Sequence, residues 1–327
     1  MNKILGIGNA LVDILTQLPS DAILHELGLP RGSMQLVDAA LMERTMAHTS
    51  TLPRTMAAGG SAANTINGLA NLGLSTAFIG KIGPDEVGRS FHDDMQANGI
   101  APVLLQGQAA SGRCLVLVSP DSERTFATYL GAAIELSPND LRPEMFAGAS
   151  YLHIEGYLVQ NHDLVRRALE LAHDAGLRVS LDLASYNVVE EHRDFLRAML
   201  EQHVSVVFAN EEEARAFGGD SPEATLALLA GLTEVAVVKL GKAGSLVRRA
   251  DEQVRVGVTA VDAVVDSTGA GDMYSAGFLY GLSHGLPLDR CGQLGAIVSG
   301  AVVGVLGPKM DASLWQHVRQ QVAQVLA

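Results

Sequence analysis

The chain has 327 residues, 48% of them apolar, and its 23 basic against 36 acidic side chains give a net charge of −13. So much apolar content excludes a disordered chain, and at ~150 residues per domain the length predicts about two domains. The acid surplus excludes a nucleic-acid partner, which would need Lys and Arg for its phosphates, but leaves a small anionic ligand open because backbone dipoles can hold one.

In chain order, β-branched apolar runs predict strands at 4–8, 77–81, 151–154, 178–182, 204–208 and 235–240. Helical periodicity predicts helices at 61–72, 87–97, 162–175, 190–201 and 273–282. This alternation is the signature of a βαβ sheet. The segments 11–18, 33–37, 113–118 and 125–130 break the rhythm, the last two flanking a turn-like Ser-Pro-Asp-Ser-Glu at 119–123. They predict a small β-flap assembled from inserted pieces.

Cys114 and Cys291 are too few for a disulfide framework and lack metal-ligand spacing. The apolar run after Lys3 is broken by Asn9 and Asp13, unlike a signal peptide. The longest apolar stretch, around 295–307, falls short of the ~20 residues of a membrane helix. A cytoplasmic protein without membrane contact is expected.

Asp266-Ser267-Thr268-Gly269-Ala270-Gly271-Asp272 lies between an apolar run at 261–265, expected as a strand, and a helical pattern. Strand, glycine-rich turn and helix aim backbone N–H groups at an anion. Asp272 would repel that anion unless it acts as general base on an attacking hydroxyl; the alternative is a helix cap. A second loop, Gly59-Gly60-Ser61-Ala62-Ala63-Asn64, reads as a turn capped by Ser61 or as a floor for a polyhydroxylated ligand bound by Asn64. Asp13, just past the first strand, suits two sugar hydroxyls.

Two look-alikes fail. Gly6-Ile7-Gly8 lacks the third glycine of a dinucleotide fingerprint, and the Walker-like 83–90 puts Pro84, Asp85 and Glu86 where phosphates would lie. Asn210-Glu211-Glu212-Glu213 opens a helix either as macrodipole partners or as a carboxylate holding water on Mg²⁺. Lys239-Leu240-Gly241-Lys242-Ala243-Gly244 is a hairpin or a nucleotide-contacting turn.

Together these segments resemble the ribokinase-like (PfkB-type) carbohydrate kinase family, nearly end to end and in its order. Segments 59–64 and 266–272 resemble its two signatures, the second extended by Ala276-Gly277-Phe278. The first departs at Ile66, as adenosine kinases do. Segment 8–13 is similar to the N-terminal strand of the adenosine kinases, and 111–114 with 124–127 to their lid hairpin, including Arg124. Glu155, in His153-Ile154-Glu155-Gly156-Tyr157, instead resembles an acidic substrate contact of sugar kinases. Phe126 and Tyr129 are candidates to sandwich a purine.

The resemblance implies a three-layer α/β/α Rossmann-like, mostly parallel sheet with a small β-sheet lid. One kinase domain would span 1–327, with lid strands inserted at about 11–18, 33–37 and 113–130. It implies ATP and Mg²⁺, a nucleoside or sugar acceptor, and a monomer or homodimer. Asp272 would be the base, with the N–H groups of Gly269, Ala270 and Gly271 holding developing charge. Asn9, Asp13, Gly59, Gly60, Ser61 and Asn64 would position the acceptor and Glu155 would contact it. Asn210, Lys239, Gly241 and Gly244 would meet the nucleotide, Ile297, Gly300 and Ala301 would wall its adenine, and Glu213 would reach Mg²⁺ through water. Asp266 and Thr268 correspond to positions that hold a monovalent cation, K⁺, in ribokinase. A catalytically silent sensor of the same fold would have lost the base or the anion loop, and both are present here.

Overall fold

The computed structural model describes residues 3–121 and 123–327. Its larger sheet has nine strands in the order Glu252–Val256, Ser245–Arg249, Val235–Lys239, Val206–Asn210, Arg178–Asp182, Ala149–Glu155, Lys3–Ile7, Ser75–Ile82 and Ile100–Gln106. All neighbours are parallel except the first two pairs, which form an antiparallel edge.

Side chains of these strands divide by the two-residue period of the pleat. Ile4, Phe78, Val206, Phe208, Val235 and Val237 enter one core. Leu5, Ile7, Ala77, Ile79, Ile154, Val207 and Val238 enter the other. Helices Ser61–Asn71, Ala270–Ser283, Leu288–Val302 and Ala312–Leu326 cover the first face, and His162–Asp174, Tyr186–His203, Glu211–Gly218 and Pro222–Ala230 the second. Burial on both faces is why these strands read as continuous apolar runs. The three-layer α/β/α class expected from the sequence is the one observed.

The smaller sheet runs Met34–Leu36, Arg124–Tyr129, Gly112–Val118, Leu11–Gln17 and Arg54–Gly59. Four of its strands lie at the segments that broke the βαβ rhythm. The fifth, 54–59, escaped notice because Arg-Thr-Met-Ala-Ala-Gly has little β-branched character. Val12, Ile14, Leu115, Leu117 and Ala127 turn inward to the main core. Cys114, Val116 and Val118, with Leu15 and Phe126, form a separate cluster on the other face. Of the turn expected at 119–123, Ser122 lies outside the described residues.

One expected strand is absent. Residues 261–265 form neither helix nor strand, and Val261, Val264 and Val265 are exposed. This run follows the last strand, Glu252–Val256, and pairs with no strand; Val265 and Asp266 instead donate to the carbonyl of Val303 at 2.7 and 3.1 Å. Both look-alike motifs serve structure. Gly6 admits Ile66, which a Cβ there would overlap, and Asp85 caps Glu86–Ala97 by accepting from Gly88 N–H at 2.9 Å. Among the described residues no helix is long and apolar enough to cross a membrane.

Candidate functional site

The two glycine loops, about 200 residues apart in sequence, meet at Asp272. Gly269 caps helix Ala270–Ser283 at φ 75°, a conformation that a side chain disfavours, and a Cβ there would lie 2.7 Å from Pro308. One carboxylate oxygen of Asp272 accepts from Ser61 Oγ at 2.7 Å and the other from Asn64 Nδ2 at 2.9 Å. Thr65 Oγ1 donates to the Asp272 carbonyl at 3.2 Å. Burial pushes the Asp272 carboxyl up to about 6, against the Asn64 and Ser61 hydrogen bonds and with Asp182 repelling its charge. A carboxylate poised near neutrality suits a general base.

This arrangement revises two expectations. Ser61 and Asn64, read as acceptor contacts, use a hydroxyl and an amide N–H to hold Asp272. Asn64 keeps its Oδ1 buried and without a hydrogen-bond partner among the described residues, an acceptor waiting for a donor. Of the three N–H groups expected to cradle an anion, that of Ala270 already donates to Ser267 O at 3.1 Å, which leaves Gly269 and Gly271.

Asp13 is delivered by the smaller sheet, in register with Ala57 on one side and Cys114 on the other. Gly59 lies against its carboxylate, where any Cβ would overlap it, and Gly60, at φ 94°, is pressed onto the carbonyl of Asn9. Burial lifts the Asp13 carboxyl to about 7, with Lys309 acting to lower it and Asp272 to raise it. Because paired residues share a face, Asp13, Leu15, Cys114, Val116, Arg124, Phe126, Thr128, Met34 and Leu36 all lie on one side. Arg124 reaches Thr268 from that side, so the face looks onto the anion loop. Tyr129 belongs to the opposite face and packs on the main core, which removes it as a candidate to sandwich a purine.

Glu155 also departs from expectation. It is 1% exposed, and its carboxylate accepts from Asn9 N–H at 2.9 Å, Asn9 Nδ2 at 2.7 Å and Ala62 N–H at 3.0 Å. Gly8 leaves it room that a side chain would fill. Glu155 and Asn9 therefore join the first strand to the start of helix Ser61–Asn71 behind the site and make no surface for an acceptor. Burial raises Glu155 to about 7.

On the other side of Asp272, Lys239 Nζ donates to Asp182 Oδ2 at 2.7 Å and would lie 3.1 Å from a Cβ on Gly271. Their attraction raises Lys239 and lowers Asp182. Asp182 was missed in the sequence, although an acidic residue ending a parallel strand marks the ligand edge of an α/β sheet. Asn210 and Glu213 form a capping box: Asn210 Oδ1 accepts from Glu212 and Glu213 N–H at 2.9 Å, while Glu213 accepts from Asn210 N–H at 2.8 Å and Nδ2 at 2.6 Å. Glu213, 2% exposed, is raised to about 7 by burial and by Asp182.

Gly241 and Gly244 turn the hairpin at φ 50° and 88°, and Gly244 abuts the Val256 carbonyl. Ile297 lines a cleft of ≈ 570 Å³ with Val256, Val258 and Thr259. Gly300 packs beneath Thr259, at 3.1 Å from where its Cβ would be, and Ala301 packs on the main core; both lie outside that lining. Among the described residues no group of three His, Cys, Asp or Glu is arranged to hold a metal.

Four carboxyls raised above their ordinary values of 3.8 and 4.5 bind more protons folded than unfolded between about pH 4 and 7. Stability contributed by these groups is present below that window and lost as pH rises through it. His153, lowered to about 4 by burial, and His162, lowered by burial and by His192 beside it, act oppositely below 6.5, two groups against four. Thermal melts of the ligand-free protein are expected to show Tm falling from about pH 5 to about pH 8; a steady rise across that range would contradict the assignment.

Residues 37–313 match the family model described as pfkB family carbohydrate kinase. Among solved structures, the chain is 32% identical to a probable sugar kinase protein from Rhizobium etli CFN 42, covering 99% of both chains with a TM-score of 0.89. It is 37% identical to the adenosine kinase from Sinorhizobium meliloti, covering 98% of this chain and 99% of that one with a TM-score of 0.87. A 5-dehydro-2-deoxygluconokinase from Geobacillus thermodenitrificans is 27% identical over 289 residues, 82% of this chain and 84% of the relative.

Proposed function

The chain belongs to the pfkB family of carbohydrate kinases, and from that premise we propose that it phosphorylates the primary hydroxyl of a nucleoside at the expense of ATP. The observation that carries the nucleoside reading is the apolar cluster on the face of the smaller sheet that also carries Asp13. Leu15, Cys114, Val116 and Phe126 flank the one carboxylate suited to a ribose diol. Cys114 and Val116 are already buried, but on the same face Leu15 and Phe126 stay partly exposed and Met34 and Leu36 exposed; a base would cover these, whereas a free sugar would leave them open. The adenosine kinase among its structural relatives supports the same choice.

In this reading Asp13 accepts from two ribose hydroxyls, and the free Oδ1 of Asn64 accepts from a third donor of the acceptor. Asp272 takes the proton of the primary hydroxyl as its oxygen attacks the γ-phosphorus and ADP departs. The N–H groups of Gly269 and Gly271, at the positive end of helix Ala270–Ser283, meet the charge on the transferred group. Lys239, held by Asp182 beside Gly271, adds a cation at the same place, and Gly241, Gly244 and Ile297 line the nucleotide side. Mg²⁺, which pfkB kinases generally require, neutralises phosphate charge when bound. Among the described residues no cage encloses it, and Glu213 would act on it through water, as suits an ion that keeps much of its hydration.

The smaller sheet, closed over the acceptor, excludes water that would otherwise compete for the γ-phosphate. A second reading, a free-sugar kinase, draws on the 5-dehydro-2-deoxygluconokinase relatives. Product formation from ATP with a panel of nucleosides and sugars separates the two. We expect kcat/KM for the best nucleoside to exceed that for every free sugar by about tenfold or more, the scale of one filled apolar pocket. A sugar preferred over all nucleosides would overturn the nucleoside reading.

A further inference from the structure

The anion loop contains a carboxylate that binds neither acceptor nor nucleotide in the reading above. The Asp266 side chain is 3% exposed; its Oδ1 accepts from Thr268 N–H at 2.8 Å and its Oδ2 from Gly307 N–H at 2.6 Å. Two N–H groups orient this charge without neutralising it. The Arg124 guanidinium completes the set, forming an ion pair with Asp266 Oδ1 while the same nitrogen donates to Thr268 Oγ1 at 2.7 Å. The Arg124 side chain is 11% exposed.

Asp266 and Thr268 are the residues at which the family resemblance implies a monovalent cation, and here they do not fit one. Their side-chain oxygens already face a guanidinium, whose charge would repel K⁺ at that point. A buried carboxylate stripped of its partner is strongly destabilising, so the countercharge has to come from somewhere. In this chain it comes from the first residue of strand Arg124–Tyr129, part of the smaller sheet.

We propose that Arg124 is the built-in counter-ion of the anion loop, a positioning residue that fixes residues 266–269 without any bound monovalent cation. Since Arg124 arrives on the smaller sheet, the loop that presents the Gly269 and Gly271 N–H groups is set only when that sheet is seated. The consequence for turnover rests on the proposed kinase mechanism; the charge balance at Asp266 does not.

The test uses the full chain in KCl, NaCl and tetramethylammonium chloride at equal ionic strength, reading Tm and the kinase rate in parallel. Wild type is expected to keep the same Tm within about 2 °C and the same rate within about twofold in all three salts. Arg124→Met in tetramethylammonium is expected to lose about 5 °C or more and about tenfold or more in rate, with K⁺ restoring part of both. Should Arg124→Met not fold, the Asp266→Asn/Arg124→Met pair removes both charges and is expected to fold equally well in every salt. Activation or stabilisation of wild type by K⁺ beyond those limits would overturn the proposal, as would K⁺ stabilisation of the double variant or an Arg124→Met protein indistinguishable from wild type. A wild type inactive on every acceptor would sink the kinase reading alone, because the Tm comparison stands without turnover.

Discussion

Asp272→Asn is expected to lower kcat by about 10²-fold or more, the scale of a lost general base, while Tm and the KM values change little. The asparagine keeps the shape of the carboxylate: its Oδ1 can still accept from Asn64 Nδ2, and its amide can donate to Ser61 Oγ, whose hydroxyl also accepts. Asn64 keeps its orientation and its Oδ1 for the acceptor, so the pair at the meeting of the two glycine loops survives. What disappears is the acceptor for the hydroxyl proton. A variant that turns over at the wild-type rate would remove Asp272 from the chemistry and leave it as the helix cap that its position also permits. With the wild-type enzyme, activity should climb with pH through the interval from about 6 to about 7, where Asp272 and Asp13 lose their protons.

Asp13→Ala is expected to reduce kcat/KM for the nucleoside by about 10²-fold, the sum of two charge-assisted hydrogen bonds, with KM for ATP nearly unchanged. The split matters because Asp13 sits in a strand whose inward neighbours, Val12 and Ile14, are core residues. Were Asp13 no more than a strand residue, the substitution would shift Tm and leave acceptor KM alone. Steady-state kinetics with each substrate varied in turn distinguishes these outcomes. Gly59 stays without a side chain because the Asp13 carboxylate occupies the space beside it.

Much of this site was legible before any fold was known. The 266–272 and 59–64 loops announce themselves by glycine at helix starts, and Asp13 by an acidic residue just past the first apolar strand. What stayed hidden was which polar atoms find each other. Ser61 and Asn64 look like ligand contacts in sequence and are found holding Asp272. Glu155 looks like a substrate carboxylate and is found holding Asn9 and Ala62. Asp182 passed as the end of an ordinary strand until Lys239 appeared beside it. Hydrogen bonds last only over ~3 Å, and no spacing along the chain encodes a distance that small between residues 200 positions apart.

The alternation of apolar runs with helical stripes determined that this is an α/β protein. The period of side-chain burial is a local property, written in consecutive residues. The tertiary structure alone decided that the inserted strands form one sheet with Asp13 and Arg124 on the same face. It alone decided that 261–265 lies outside both sheets, with the N–H groups of Val265 and Asp266 meeting the Val303 carbonyl. Those outcomes depend on which strand edges are free and which charges meet once the chain closes, and neither is a property of any segment taken by itself.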